Sequence, residues 1–119
     1  MNQYEAADEI IRIIPAAKEE LTASAQIKSA YTIVNIFTKH IRMLVEKNNQ
    51  ALLDRSLRLM NKIHERGDTL LQQAVENVFV FSWDSVTSSC NRTQRKLLAG
   101  MMPMGLYTIY VNQIYKSGI

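Results

Sequence analysis

Residues 70–86, LLQQAVENVFVFSWDSV, decide how this chain is read. The stretch is apolar almost all round, and only Glu76, Asn77 and Asp84 interrupt it strongly. A helix that is greasy on every side belongs inside a bundle rather than on its surface. Leu71, Ala74, Val75, Val78 and Ser82 form one stripe at helical spacing, while Phe79, Val80 and Trp83 cover other sides. The run Val78-Phe79-Val80 also suits a strand. Length, missing alternation and helical neighbours favour a helix, placed at the centre of the fold.

Working outward from there, the neighbouring segments are also helical. Before residue 70, Gln50 to Arg66 turns Leu53, Leu57, Met60 and Ile63 to one side, with Leu52 and Leu59 widening that face. Gly67 is expected in the left-handed conformation that ends this helix, and Asp68 caps the next. Asn48-Asn49 breaks the pattern upstream, with Asn49 as an N-cap. Ala25 to Lys47 is the clearest helix. Ile27, Ala30, Tyr31, Val34, Phe37, Ile41, Leu44 and Val45 hold the stripe, and Lys28, Asn35, Lys39, Arg42 and Glu46 lie largely off it. Connections this short make the successive segments antiparallel neighbours. At the N-terminus, Tyr4 to Ile13 repeats Ala6, Ala7, Ile10, Ile11 and Ile14 at helical spacing until Pro15 ends or kinks it. A short piece PAAKEEL follows, and Thr22 or Ser24 offers the next cap. After Val86, TSSCN is a loop. Asn91 with Gln94 makes a capping-box pattern for RTQRKLLAG, Pro103 opens the last helix, and Gly118 ends it. In that last helix Leu106, Ile109, Tyr110 and Ile114 are placed to pack back on the bundle, with Tyr107 and Tyr115 at its edge.

The expected fold is therefore all-α, a single bundle of five to six helices. Residues 1–24 form an acidic helical segment and residues 25–116 the core. The antiparallel hairpins suit HEAT-like or TPR-like stacking by analogy, although no repeat is present. At 119 residues the chain can bury roughly two-thirds of its unfolded surface in one domain. Its 47% hydrophobic and 21% charged residues exclude a disordered or low-complexity chain. Four glycines and two prolines leave few turns, hence long helices. One cysteine, Cys90, excludes an internal disulfide and suits a reducing compartment. The acidic start MNQYEAADEI lacks a signal-peptide pattern, so a cytoplasmic location is expected. The uncharged run 97–115 approaches spanning length, but Gly100, Pro103, Gly105, Asn112 and Gln113 break it, and no membrane span is expected.

The net charge of +3 is unevenly spread. Residues 1–27 carry Glu5, Asp8, Glu9, Glu19 and Glu20 against Arg12 and Lys18. Residues 28–66 carry eight bases against Glu46, Asp54 and Glu65. The basic middle is expected to meet the chain's own acidic N-terminal segment; an acidic partner is the other reading.

Little in the chain has the pattern of a catalytic or metal centre. His40 and His64 fall about two turns apart across their hairpin, with no HExxH, CxxC or Glu-x-x-His motif, so no metal and no cofactor is expected. Cys90 has no base nearby in sequence to activate it. Arg92, Arg95 and Lys96 form a basic cluster without a helix-turn-helix, a phosphate loop or interleaved aromatics, which reads as a solvated face. Glu76 and Asn77 are the most informative polar residues, because a carboxylate in an apolar helix must be paired or neutralised. The expected partner of Glu76 is Arg55 or Arg58. In the functional reading this face lines a groove, with Trp83 as an aromatic anchor.

Gly67 and the run LLQQAVENVFVFS beyond it resemble a family of small bacterial all-α proteins of unknown function. Its members share a "G…L..AVENVFV.S" core, a preceding helical hairpin and a C-terminal helix pair interrupted by proline. The similarity spans about residues 25–116, and its specific part is Ala74 to Ser82. Relatives of this kind are similar to proteins encoded near polymorphic toxins, which implies an immunity role and assigns no catalytic residue. The resulting expectation is a non-catalytic module that binds a protein partner and occludes it. Glu76, Asn77, Trp83, Arg55, Arg58 and Arg95 are the candidate contacts. A nucleic-acid-binding domain using the basic middle region is the alternative, a small enzyme the least supported, and a homodimer fits any of these.

Overall fold

Side-chain caps set five of the helix starts among the described residues. The computed structural model describes residues 1–27 and 29–117, and the side chains of these except 24–27 and 117. Helix α1 (Gln3–Ile13) starts in a complete Asn2/Glu5 capping box. A 3-10 turn at Pro15–Ala17 leads into α2 (Lys18–Ile27). Ser29 caps α3 (Ala30–Glu46), and Asn49 caps α4 (Gln50–Arg66). Asp68 caps α5 (Thr69–Ala74), which continues as a π-helical segment, Val75–Val80. After a turn come α6 (Trp83–Val86), α7 (Arg92–Met101) with the Asn91/Gln94 capping box, and α8 (Met104–Ser117). The fold is all-α. The described residues hold eight α-helices rather than five or six, because the segment after residue 69 is divided and the N-terminal region forms two helices. Expectations for Lys28 and Gly118, and for the side chains of Ser24 and Ile27, lie outside the described residues.

The body measures 39 × 31 × 19 Å, so its thin dimension holds about two helix diameters of 10–12 Å. At its centre is α3, not the segment after residue 70. Ten of the seventeen α3 residues are buried, and α3 touches α1, α2, α4, α5, the π segment and α6. Phe37, Ile33 and Ile41 of α3 meet Leu53, Leu57, Met60 and Ile63 of α4 in one core with Leu71 and Phe79. The hairpin between α3 and α4 turns at Asn48, whose φ of 55° is the left-handed conformation an Asn side chain tolerates.

Three local features differ from expectation. The break at Ser29 divides the expected helix from Ala25 to Lys47, because the Ser29 hydroxyl accepts the Thr32 amide and opens a new helix there. Gly67 is not left-handed: its φ is −69°. Glycine is needed there for close approach, since a Cβ would lie 2.3 Å from the Ile63 carbonyl oxygen.

The third difference is the expected continuous helix Leu70–Val86. Leu71, Val75, Phe79, Trp83 and Thr87 are all buried, a spacing of four residues. In an α-helix a step of four overshoots the turn by about 40°, so this row would spiral off the core. The wider π turn holds it on one face. Val78 and Ser82, expected inward, are only half-buried as a result. Ser82 donates to the Val78 carbonyl and at 3.2 Å to that of Phe79, closing the segment.

The acidic N-terminal helices pair with the basic middle. Lys62 reaches Glu9 at 2.6 Å, and Glu20 takes Lys39 and His40, each at 3.1 Å. Lys39 first, and His40 after it, hold the Glu20 carboxyl below its ordinary 4.5. Among the described residues no helix is long and apolar enough to cross a membrane.

A candidate partner-binding groove

The last helix is docked by few groups. Leu106 is its fully buried residue. Gly105 lets it approach α4 closely, where a Cβ would lie 2.7 Å from Asn61 Oδ1. Beyond that point polar bonds tie α8 to the segment after residue 75. Gln113 Nε2 donates to the Glu76 carbonyl oxygen at 2.8 Å, and the Tyr110 hydroxyl donates to Asp84 Oδ1. Burial, followed by that bond to Asp84, pushes the Tyr110 hydroxyl from 10.0 up to about 12.

Between these two elements runs a groove of about 440 Å³, lined by Val80, Phe81, Asp84, Ile114 and Lys116 among others. Phe81 sits in the turn just after the π segment and is 76% exposed. Ile114, expected to pack back on the bundle, is 43% exposed here. Met104, at 78%, with Tyr107 and Tyr115, continues an outward apolar side of α8. An exposed aromatic beside a mostly apolar cleft with polar ends has the make-up of a protein-contact surface. π turns within helices recur at functional sites.

The six sequence-derived candidates do not converge. Asn77 lines the groove and donates to the Tyr31 hydroxyl at 3.0 Å. Glu76 is adjacent in sequence, but its carboxylate meets His64 at 2.8 Å, not Arg55 or Arg58. The chain reverses at Gly67, which brings the end of α4 beside Glu76; Arg58 lies six residues back, about 9 Å further along that helix. Arg58 instead pairs with Asp54 at 3.1 Å, and Arg55 is exposed on α4. Arg95, on α7, donates to the carbonyls of Thr87 and Ser88 in the preceding loop. Trp83 is only 6% exposed and tilts against Phe79 with ring centroids 5.7 Å apart, so it is a core residue and not a surface anchor. Sequence reasoning missed Phe81, Tyr110, Asp84, Ile114 and Lys116. The signal for Phe81 was the four-residue row, which leaves position 81 off the buried face.

A second cavity, about 580 Å³ and open, lies on α7 beside half-buried Cys90, Arg92, Arg95 and Lys96. Among the described residues no group of His, Cys, Asp and Glu could hold a metal ion.

Fold and groove together define a small all-α domain with a built cleft between its π segment and its last helix. The model of a domain of unknown function, DUF7674, matches residues 7–116, and the chain belongs to that family. Nothing matches it among curated proteins or among solved structures.

Proposed function

We propose that the chain is a non-catalytic protein-binding module of the bacterial cytoplasm, working through the groove between the π segment and α8. The observation that carries this reading is Phe81, 76% exposed beside a cleft walled by Val80 and Ile114. Burying such an aromatic against a partner yields about 1.5–3 kcal/mol. The basic middle supports it indirectly, because Lys39, Lys62 and Arg58 are engaged by Glu20, Glu9 and Asp54 within the chain. In the immunity-type form of this reading, implied by the resemblance to proteins encoded near toxins, the bound face occludes the partner's working surface.

The test compares tagged wild type with Phe81→Ser in capture from the native host's lysate, washed at high salt after nuclease treatment. A protein held by wild type and lost with Phe81→Ser is the expected result. Identical recovery by both variants overturns the reading. The nucleic-acid alternative draws on the open basic cavity at Arg92, Arg95 and Lys96. It predicts material that washes off steeply with salt and is unaffected by Phe81→Ser.

A further inference from the structure

We propose that a second copy of this chain closes the groove, packed about a twofold axis that crosses it near Phe81. The inference rests on reading the groove as a protein-binding surface and names what occupies it when no other partner does.

The groove is polar at both ends and apolar between. At one end Asp84 accepts the Tyr110 hydroxyl; at the other Asn77 lies with Lys116, beyond the Gln113 bond to Glu76. The two walls therefore run in opposite directions. From Tyr110 to Lys116 is six helical residues, about 9 Å. Phe81 falls between Asn77 and Asp84, near the midpoint, and projects outward.

A twofold operation about that midpoint exchanges the two ends. Asp84 then faces Lys116 of the partner subunit, and the reciprocal pair forms by symmetry. The two Phe81 rings lie beside the axis, each covering the apolar centre of the opposite groove. A surface that carries its own acid, its own base and its own apolar knob in this order is complementary to itself, as an isologous interface requires. A stable pair buries about 800 Å² on each side, more than the cleft alone supplies. Tyr107, 43% exposed, lines the hollow next to Asp84 and Tyr110 and extends the apolar surface on that side toward Met104. Pairing also removes Phe81 from water, and another protein binding the groove has to displace the second copy.

The experiment is sedimentation equilibrium over a range of concentrations on wild type, Phe81→Ser, Asp84→Lys and Lys116→Asp. Circular dichroism checks that each variant is folded. Wild type is expected to dimerise, and Phe81→Ser to weaken pairing about tenfold or more, as loss of a central aromatic anchor does. Asp84→Lys and Lys116→Asp each place like charges opposite one another and are expected to be monomers when alone. Mixed in equal amounts they are expected to pair again, because every contact in the mixed dimer joins an acid to a base. A mixture that stays monomeric overturns the twofold pairing, as does a wild type that remains monomeric to its solubility limit. If Asp84→Lys does not fold, Phe81→Ser decides, and an unchanged dimer overturns the proposal. A monomeric wild type whose capture of another protein still depends on Phe81 overturns self-pairing alone and leaves the groove's protein-binding role standing.

Discussion

The α3–α4 hairpin and the pair formed by the π segment and α8 use apolar residues in different ways. Both hairpin helices have 17 residues, both begin at a side-chain cap, and their stripes close on each other around Phe37, Leu57 and Met60. In the second pair, Leu106 buries fully, while Phe81, Met104, Tyr107, Ile114 and Tyr115 stay exposed. Much of the docking is done by Gln113 and Tyr110 through polar bonds. One region spends its apolar surface on folding. The other withholds it, which is why contact with a partner is assigned there.

The sharpest way to break this contrast is in the hairpin. Phe37→Ala, fully buried in α3, is expected to cost about 3–5 kcal/mol in urea unfolding. A cost below 1 kcal/mol would remove α3 as the centre of the fold. Leu106→Ala comes next, at about 2–5 kcal/mol by the same cavity argument. Its effect should be local as well as global: amide exchange in α8 speeds up more than in α3, whereas equal acceleration would show α8 to be part of the frame.

Tyr110 offers a test at high pH. Its folded value lies above the ordinary 10.0, near 12, so the neutral hydroxyl is favoured in the folded state. That contribution is present below pH 10 and is lost as the pH rises toward 12. Spectrophotometric titration should show one of the five tyrosines ionising last in wild type. That late step should vanish in Tyr110→Phe and move down in Asp84→Asn. The smallest expected change in stability is Phe81→Ser, within about 0.5 kcal/mol, as for other exposed positions. A large loss would mean that Phe81 supports the fold rather than a partner.

Legibility followed the same division. The span of α4 and the end of α3 are readable because apolar spacing, Asn49 and the Arg66–Gly67 stop agree locally. The start of α3 is not, since Ala30 continues the earlier helical spacing and only the Ser29 cap marks the break. Asn77 is legible as a candidate because a polar group in an apolar run stands out. Phe81 is not, for the opposite reason: an aromatic among valines looks like core.

Sequence alone determined the all-α class, the α7 capping box at Asn91 and Gln94, and the membership of the acidic and basic segments, since each depends on residues close in the chain or on composition. Tertiary structure alone decided that α3 is the hub, that His64 rather than an arginine meets Glu76, that Trp83 turns inward, and that Phe81 turns out. Those outcomes depend on helix register. Between an α turn and a π turn the backbone hydrogen bond spans one residue more, and packing against α3 and α4 chooses between them.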